Sequence, residues 1–209
     1  MELKEAIYNR SSVRNFTKEK VSEENLRELV RRAGAAPSIN NSEPWKFIAI
    51  TNEDLLKELG DVVRIKYKNL IPENDERITD TIRNQVTKFA SFFSDAPAVI
   101  AVVAKPYSAI IDEILVSTGL THDEMNKLRN YPDIQTYGAA IQNILLSAVE
   151  LGLGACWLTG PMVAKNELEE ILGIESPHKL IAFVVVGMPL HEAKPRAKQS
   201  LDEIFELRD

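Results

Sequence analysis

The chain has 209 residues, a formal net charge of −6 and a single cysteine, Cys156. A hydrophobic fraction of 44% with 27% charged residues belongs to a folded globular protein and excludes disorder. The acidic balance excludes a general binder of phosphate backbones, and one cysteine can build neither an intrachain disulfide nor a multi-Cys zinc site. The length fits one domain over residues 1–209. The first ten residues carry Glu2, Lys4, Glu5 and Arg10, so they hold no apolar signal core, and Ala96–Ala104 is too short for a membrane helix of about 20 residues. A cytoplasmic protein with no membrane and no nucleic-acid partner is expected.

Leu3, Ala6 and Ile7 predict one apolar face of a short first helix. Ser22 is placed to cap a second helix with the stripe Leu26, Leu29, Val30 and Ala33, ending near Gly34. Pro37 to Pro44, with two prolines among Ser and Asn, reads as a loop, followed by a buried strand over Phe47–Ile50. A helix through Leu55, Leu59 and Val63 is expected to run towards Leu70, and another through Ile82, Val86, Phe89 and Phe93. Ala98–Ala104 follows as a strand. Residues 105–133 are hard to place, except that Thr121–Glu124 has capping-box spacing.

Gly138–Leu151 is the strongest helix signal, with Ile141, Leu145 and Ala148 on one side and a stop at Gly152-Leu153-Gly154. A short strand over Ala155–Leu158, a helix over Glu167–Leu172 closed by Gly173, and an apolar central strand over Leu180–Val186 complete the body. A polar tail ends amphipathically at Leu201, Ile204 and Phe205. Helices outnumber strands in an irregular order, which predicts an α+β fold.

No side-chain motif advertises a reaction. Gly152-x-Gly154 is completed by Trp157 rather than glycine, which excludes a Rossmann turn, and His122, His178 and His191 lack metal-ligand spacing. An enzyme of this sequence would need a cofactor to carry its chemistry. Arg10-Ser11-Ser12-Val13-Arg14 gathers two guanidinium groups and two hydroxyls, and Lys194, Arg196 and Lys198 form a second basic run. Each is either a solvated face or a site for one local anion such as a phosphate. Ser38 and Asn41 can face a heterocycle from a helix-to-strand loop, or simply cap that loop. The glycines before Cys156 allow close backbone approach to a flat ligand, or a tight connection. Cys156, between Ala155 and Trp157, is expected to be buried and inert.

Arg10-Ser-Ser-Val-Arg-Asn-Phe16 and Ala36-Pro-Ser-Ile-Asn-Asn-Ser-Glu-Pro-Trp-Lys-Phe47 resemble the two N-terminal signatures of the nitroreductase family of flavoproteins. Gln142-Asn143 with Ala148, then Glu150 to Trp157, resemble its helix-plus-glycine signature, and Val186-Gly-Met-Pro189 with Arg196-x-Lys198 its end. The four matches stand in the family's order over about residues 2–205. The resemblance implies a central, mainly antiparallel sheet flanked by helices and an intertwined homodimer with one FMN per active site at the subunit interface. It assigns Arg10, Ser12 and Arg14, with Ser11 nearby, to the phosphate and ribityl chain, joined by Arg196 and Lys198. It assigns Pro37, Ser38 and Asn41 to the partner's flavin, and Leu158, Thr159 and Gly160 to the ring near N5.

The sequence departs from the family at Glu43, where a glutamine often precedes Pro-Trp, and no motif marks the group facing flavin N1 and O2, for which Lys88 is the candidate. Residues 105–133 correspond to the variable part that often covers the substrate, and 189–209 form a C-terminal extension. The implied activity is a ping-pong relay from NADH or NADPH through flavin N5 to a nitroaromatic, quinone or related conjugated acceptor, with no catalytic side chain required. The alternatives are a dimer that senses or stores FMN without turnover, or an enzyme specialised for one metabolite.

Overall fold

The protein's structure, a computed structural model, describes residues 1–72, 78–115, 117, 119–192 and 197–208. Four strands, β1 (Trp45–Ile50), β2 (Ala98–Ala104), β3 (Gly154–Leu158) and β4 (Lys179–Gly187), form one antiparallel sheet in the order β1-β2-β4-β3. Alternation along the two central strands sorts their side chains onto opposite faces. Ala98, Ile100 and Val102 join Ala182, Val184 and Val186 beneath α2 (Glu23–Gly34) and α7 (Pro132–Glu150). Val99, Ala101 and Val103 join Phe183 and Val185 beneath α3 (Glu53–Leu70), α4 (Asp80–Ser91) and α8 (Lys165–Leu172). Both faces are therefore covered, as the unbroken apolar runs require.

The elements largely follow the sequence pattern. Ser22 accepts a hydrogen bond from the Asn25 amide and caps α2, and Gly173, at φ 63°, closes α8. Three differences have physical causes. The strand after the Pro37–Pro44 loop is an edge strand, so Trp45 and Ile50 are buried while Lys46 and Ala49 are exposed. The helix expected from Gly138 starts at Pro132, because proline fits the first helical turn and Tyr131 ahead of it adopts a left-handed conformation, φ 54°. In α1 (Leu3–Asn9) only Ala6 is buried, and the apolar face marked by Leu3 and Ile7 is 68% and 50% exposed.

Between β2 and α7 the chain forms α5 (Ile110–Leu115), absent from the sequence reading, and α6 (His122–Leu128), whose N-terminus carries the expected Thr121–Glu124 capping box. The buried Asp112 ties this segment together. It accepts from the Ala109 amide at 3.1 Å and from Arg129 at 2.8 Å, and His122 Nδ1 lies 2.9 Å away. Among the described residues no helix is long and apolar enough to cross a membrane.

After α1 the chain runs as a strap beside β3. The Val13 amide donates to the Ala155 carbonyl at 3.0 Å, and the Thr17 amide to the Met188 carbonyl at 2.9 Å. Gly154 makes this contact possible, since a Cβ there would sit 2.7 Å from Val13 Cγ1 and 2.8 Å from Val13 Cβ. Valine's stiff, branched side chain cannot yield at that distance. Gly154→Ala is expected to destabilise the fold by about 1–3 kcal/mol, as overpacking does. A denaturant melt within error of the native protein's would show that the strap is held elsewhere.

Candidate functional site

A cleft of about 410 Å³ opens between α4 and the segment that follows β3. Val86, Phe89 and Ala90 of α4 form one wall, Leu158, Gly160 and Pro161 the other, and Tyr67 of α3 joins them. Gln85 contributes a side-chain amide and Tyr67 a hydroxyl, so the lining carries no charged group. The Tyr67 hydroxyl donates to the Gly160 carbonyl at 3.1 Å. Beyond Gly160 the chain turns through a 3₁₀ segment, Gly160–Ala164, where the Met162 amide donates to the Thr159 carbonyl at 3.0 Å.

Charge arrives at the cleft's edge on the strap. The Arg14 guanidinium lies over the Phe89 ring, 5.4 Å from its centroid, and donates to the Ser12 carbonyl at 3.3 Å. Ser12 bridges to Ala155 at the start of β3. Cys156, the next residue on that strand, is buried, and burial pushes its thiol pKa up. The Arg14 charge, a hydrogen bond with Ser12 and the Arg10 charge oppose that shift. Arg10, Ser12 and Arg14 therefore converge on the inner end of β3, while Leu158 and Gly160 stand at its outer end. Phe89 connects the two by lining the cleft and stacking on Arg14. Ser11, half-buried, lies in the same strap, and Thr159 is exposed between Leu158 and Gly160.

The other expected site residues are elsewhere. Ser38 Oγ accepts from the Glu43 amide at 3.1 Å, and the neighbouring Ile39 amide donates to Thr136 Oγ1 of α7 at 3.1 Å. The first bond closes the loop on itself and the second holds it against α7, with Pro37 and Asn41 exposed and neither lining the cleft of their own chain. Lys88 is exposed on α4 but is not part of the cleft wall, whereas Gln85, which the sequence reading passed over, is. Its signal was positional. Residues 85, 86 and 89 share one flank of α4, and Phe89 is 61% exposed on a helix of low hydrophobicity.

Lys198 is exposed in the tail, and Arg196 lies outside the described residues. The described residues of 105–133, expected as a substrate cover, line no part of the cleft in their own chain. Gly154, read as part of a shelf for a flat ligand, admits the strap, and Gly152, at φ 72°, turns the chain out of α7. Among the described residues no group of three or more His, Cys, Asp or Glu side chains is arranged to hold a metal ion.

An α+β chain with an antiparallel four-stranded sheet, a basic N-terminal strap and an apolar cleft at the end of β3 defines a recognisable class. The model of the nitroreductase family matches residues 7–188, and the chain belongs to that family. It is similar over its whole length to the crystal structure of a BluB-like flavoprotein from Clostridium difficile 630, with 32% identity, a TM-score of 0.86 and complete coverage of both chains. A protein of Archaeoglobus fulgidus, assigned by similarity as an NADH dehydrogenase/NAD(P)H nitroreductase, is 28% identical over 187 residues, covering 87% of this chain and 81% of that one. A nitroreductase from Desulfitobacterium hafniense DCB-2, crystallised with bound FMN, shares the fold at a TM-score of 0.73 with 21% identity and full coverage of both chains.

The buried Cys156 gives a direct check on this geometry. Its thiol is expected to resist a soluble disulfide reagent in the native protein and to react fully once denatured. Rapid labelling of the folded protein would contradict the packing of β3 against the strap.

Proposed function

We propose that the protein is an FMN-dependent oxidoreductase that takes electrons from NADH or NADPH and passes them to a neutral conjugated acceptor such as a nitroaromatic or a quinone. The observation that carries this reading is Arg14 stacked on Phe89, which joins a cationic strap to an uncharged cleft. A flavin mononucleotide has the complementary form, a flat, largely apolar ring and a dianionic phosphate. Arg10, Ser11, Ser12 and Arg14 hold the phosphate and ribityl chain, with Arg196 and Lys198 of the tail as further cationic contacts. Leu158, Thr159 and Gly160 lie along the ring. When bound, the flavin supplies reversible two-electron chemistry at N5. The chain's own contribution is to hold that ring beside apolar walls that exclude water, with Arg14 biased by Phe89 towards the phosphate end of the cofactor. The absence of a charged group from the cleft lining favours uncharged acceptors.

The working unit in this reading is a homodimer. The chain exposes 13411 Å², against about 9,700 Å² expected of a compact monomer of 23.4 kDa. Large apolar side chains contribute to the exposed surface. Leu3 and Ile7 stand out on α1, and Leu201, Ile204, Phe205 and Leu207 of the tail are 61–78% exposed. A groove of about 700 Å³ beside the open edge of β1 has Leu26, Val30 and Phe47 in its lining and Lys20, Arg27 and Arg31 among its charged groups. It suits the acidic, apolar tail of a second copy, in which Asp202, Glu203 and Glu206 alternate with those hydrophobic residues. The Pro37–Asn41 loop would then reach the partner's cofactor.

The purified protein is expected to be yellow, to release FMN on denaturation, and to bleach within seconds of adding NADH or NADPH, with colour restored by a quinone or nitroaromatic. A flavin that neither nicotinamide bleaches would leave a sensor or store of FMN in place of an enzyme. A protein that takes up no FMN would end the reading altogether. Arg10→Ala should weaken FMN binding about ten-fold or more, the loss of one charge-assisted hydrogen bond. Sedimentation is expected at twice the 23.4 kDa chain mass, and removal of residues 197–209 should shift it towards the monomer.

A further inference from the structure

The segment after β3 contains one residue whose backbone is free to swivel, Gly160, and the structure holds the peptides on both of its sides. The Thr159 carbonyl accepts from the Met162 amide at 3.0 Å, which fixes the peptide that carries the Gly160 N–H. The Gly160 carbonyl belongs to the bond with Pro161, which has no N–H, and it accepts from the Tyr67 hydroxyl at 3.1 Å. Glycine loses more conformational freedom than any other residue when it is ordered, so this second bond acts where the backbone most needs it. Tyr67 is half-buried near the end of α3, and its side chain also lines the cleft. Its neighbour Lys66 anchors the same end of α3 to α8 through Glu167 Oε1, at 2.5 Å.

We propose that Tyr67 is a positioning residue, whose hydroxyl sets the orientation in which the Leu158–Gly160 backbone meets the cofactor ring. The inference rests on the FMN-dependent reading above and adds to it a role for a side chain outside the family's sequence signatures. Tyr67 does no chemistry. It acts through Gly160, and small misplacements of such a backbone lower the rate of the step it serves while leaving binding largely intact.

The test is Tyr67→Phe, which keeps the ring and deletes the hydroxyl, beside Lys66→Met, which breaks the neighbouring ion pair and leaves the Gly160 bond in place. In cofactor-free protein, amide exchange at Met162 should speed up about ten-fold in Tyr67→Phe, because the turn opens more often. In FMN-loaded protein the visible flavin band should shift, and the rate of flavin reduction by the preferred nicotinamide should fall about three- to ten-fold with its KM within about two-fold. Lys66→Met should match the native protein in band position and reduction rate. A Tyr67→Phe protein with native spectrum and rate overturns the inference while leaving the oxidoreductase reading standing. Equal losses in Lys66→Met overturn it as well, since the effect would then belong to α3–α8 packing. A native protein that binds no FMN overturns both.

Discussion

β2 and β4 are apolar along almost their whole length, and strands of that kind are stable only if both of their faces are covered. The rest of the chain supplies that cover. α2 and α7 close one face, while α3, α4 and α8 close the other, and each fully buried Val, Ile, Leu or Phe contributes about 1.5–3 kcal/mol. The two edge strands are treated differently. β3 is flanked by the N-terminal strap, whose Val13 amide donates to the Ala155 carbonyl on its outer side, whereas β1 keeps an open edge beside a groove. An open edge on a sheet otherwise so fully covered is a place where a second chain can pair.

The cleft follows from the same arrangement. Because β3 lies at the sheet's margin, its last residues are not enclosed by another strand, and the backbone at Leu158–Gly160 emerges next to α4. Because the strap follows β3 closely at Gly154, the backbone of the Arg10–Arg14 cluster is held beside the strand that leads to that segment. Neither cluster forms a site alone. The helix that lines the cleft brings them together, through Phe89 under the Arg14 guanidinium. A cation over an aromatic face at a partly exposed position is worth about 0.5–1 kcal/mol, enough to bias the Arg14 side chain but too little to lock it.

The fold was legible in the sequence where periodicity and caps were strong. The central strands, α2 with its Ser22 cap, α3, and the Thr121–Glu124 box all stand where the residues place them. The misreadings fall where local pattern is silent about neighbours. The six residues before Gly138 lack a clear stripe, and α5 is held by Asp112, Arg129 and His122, partners as much as 17 positions apart. Gly154 illustrates the limit of reading function from composition. A glycine shows that something approaches closely, and here the visitor is Val13 of the same chain. Tyr67 and Gln85 were invisible for the same reason, since each earns its place by a contact across tertiary structure and by no motif of its own.

The placement of the family's signature residues also argues about the unit that works. Arg10, Ser12 and Arg14 gather at one edge of the sheet with the cleft, while the loop of Pro37, Ser38 and Asn41 is closed by the Ser38–Glu43 bond and held against α7 by the Ile39–Thr136 bond. The loop spends its own side-chain acceptor, Ser38 Oγ, on holding its shape, and three of its residues, Asn40, Asn41 and Glu43, adopt positive φ. Left-handed backbone at non-glycine residues carries a conformational cost, small for Asn40 and Asn41 and larger for Glu43. Nothing in its own chain's cleft uses it. In the proposed homodimer, a second copy seated on the exposed apolar faces of α1 and the tail would give this loop a ligand to meet and the open cleft a covering wall. A net charge of −6 is no obstacle to such pairing, because the acidic tail and the basic groove side chains divide that charge between the two surfaces that would join.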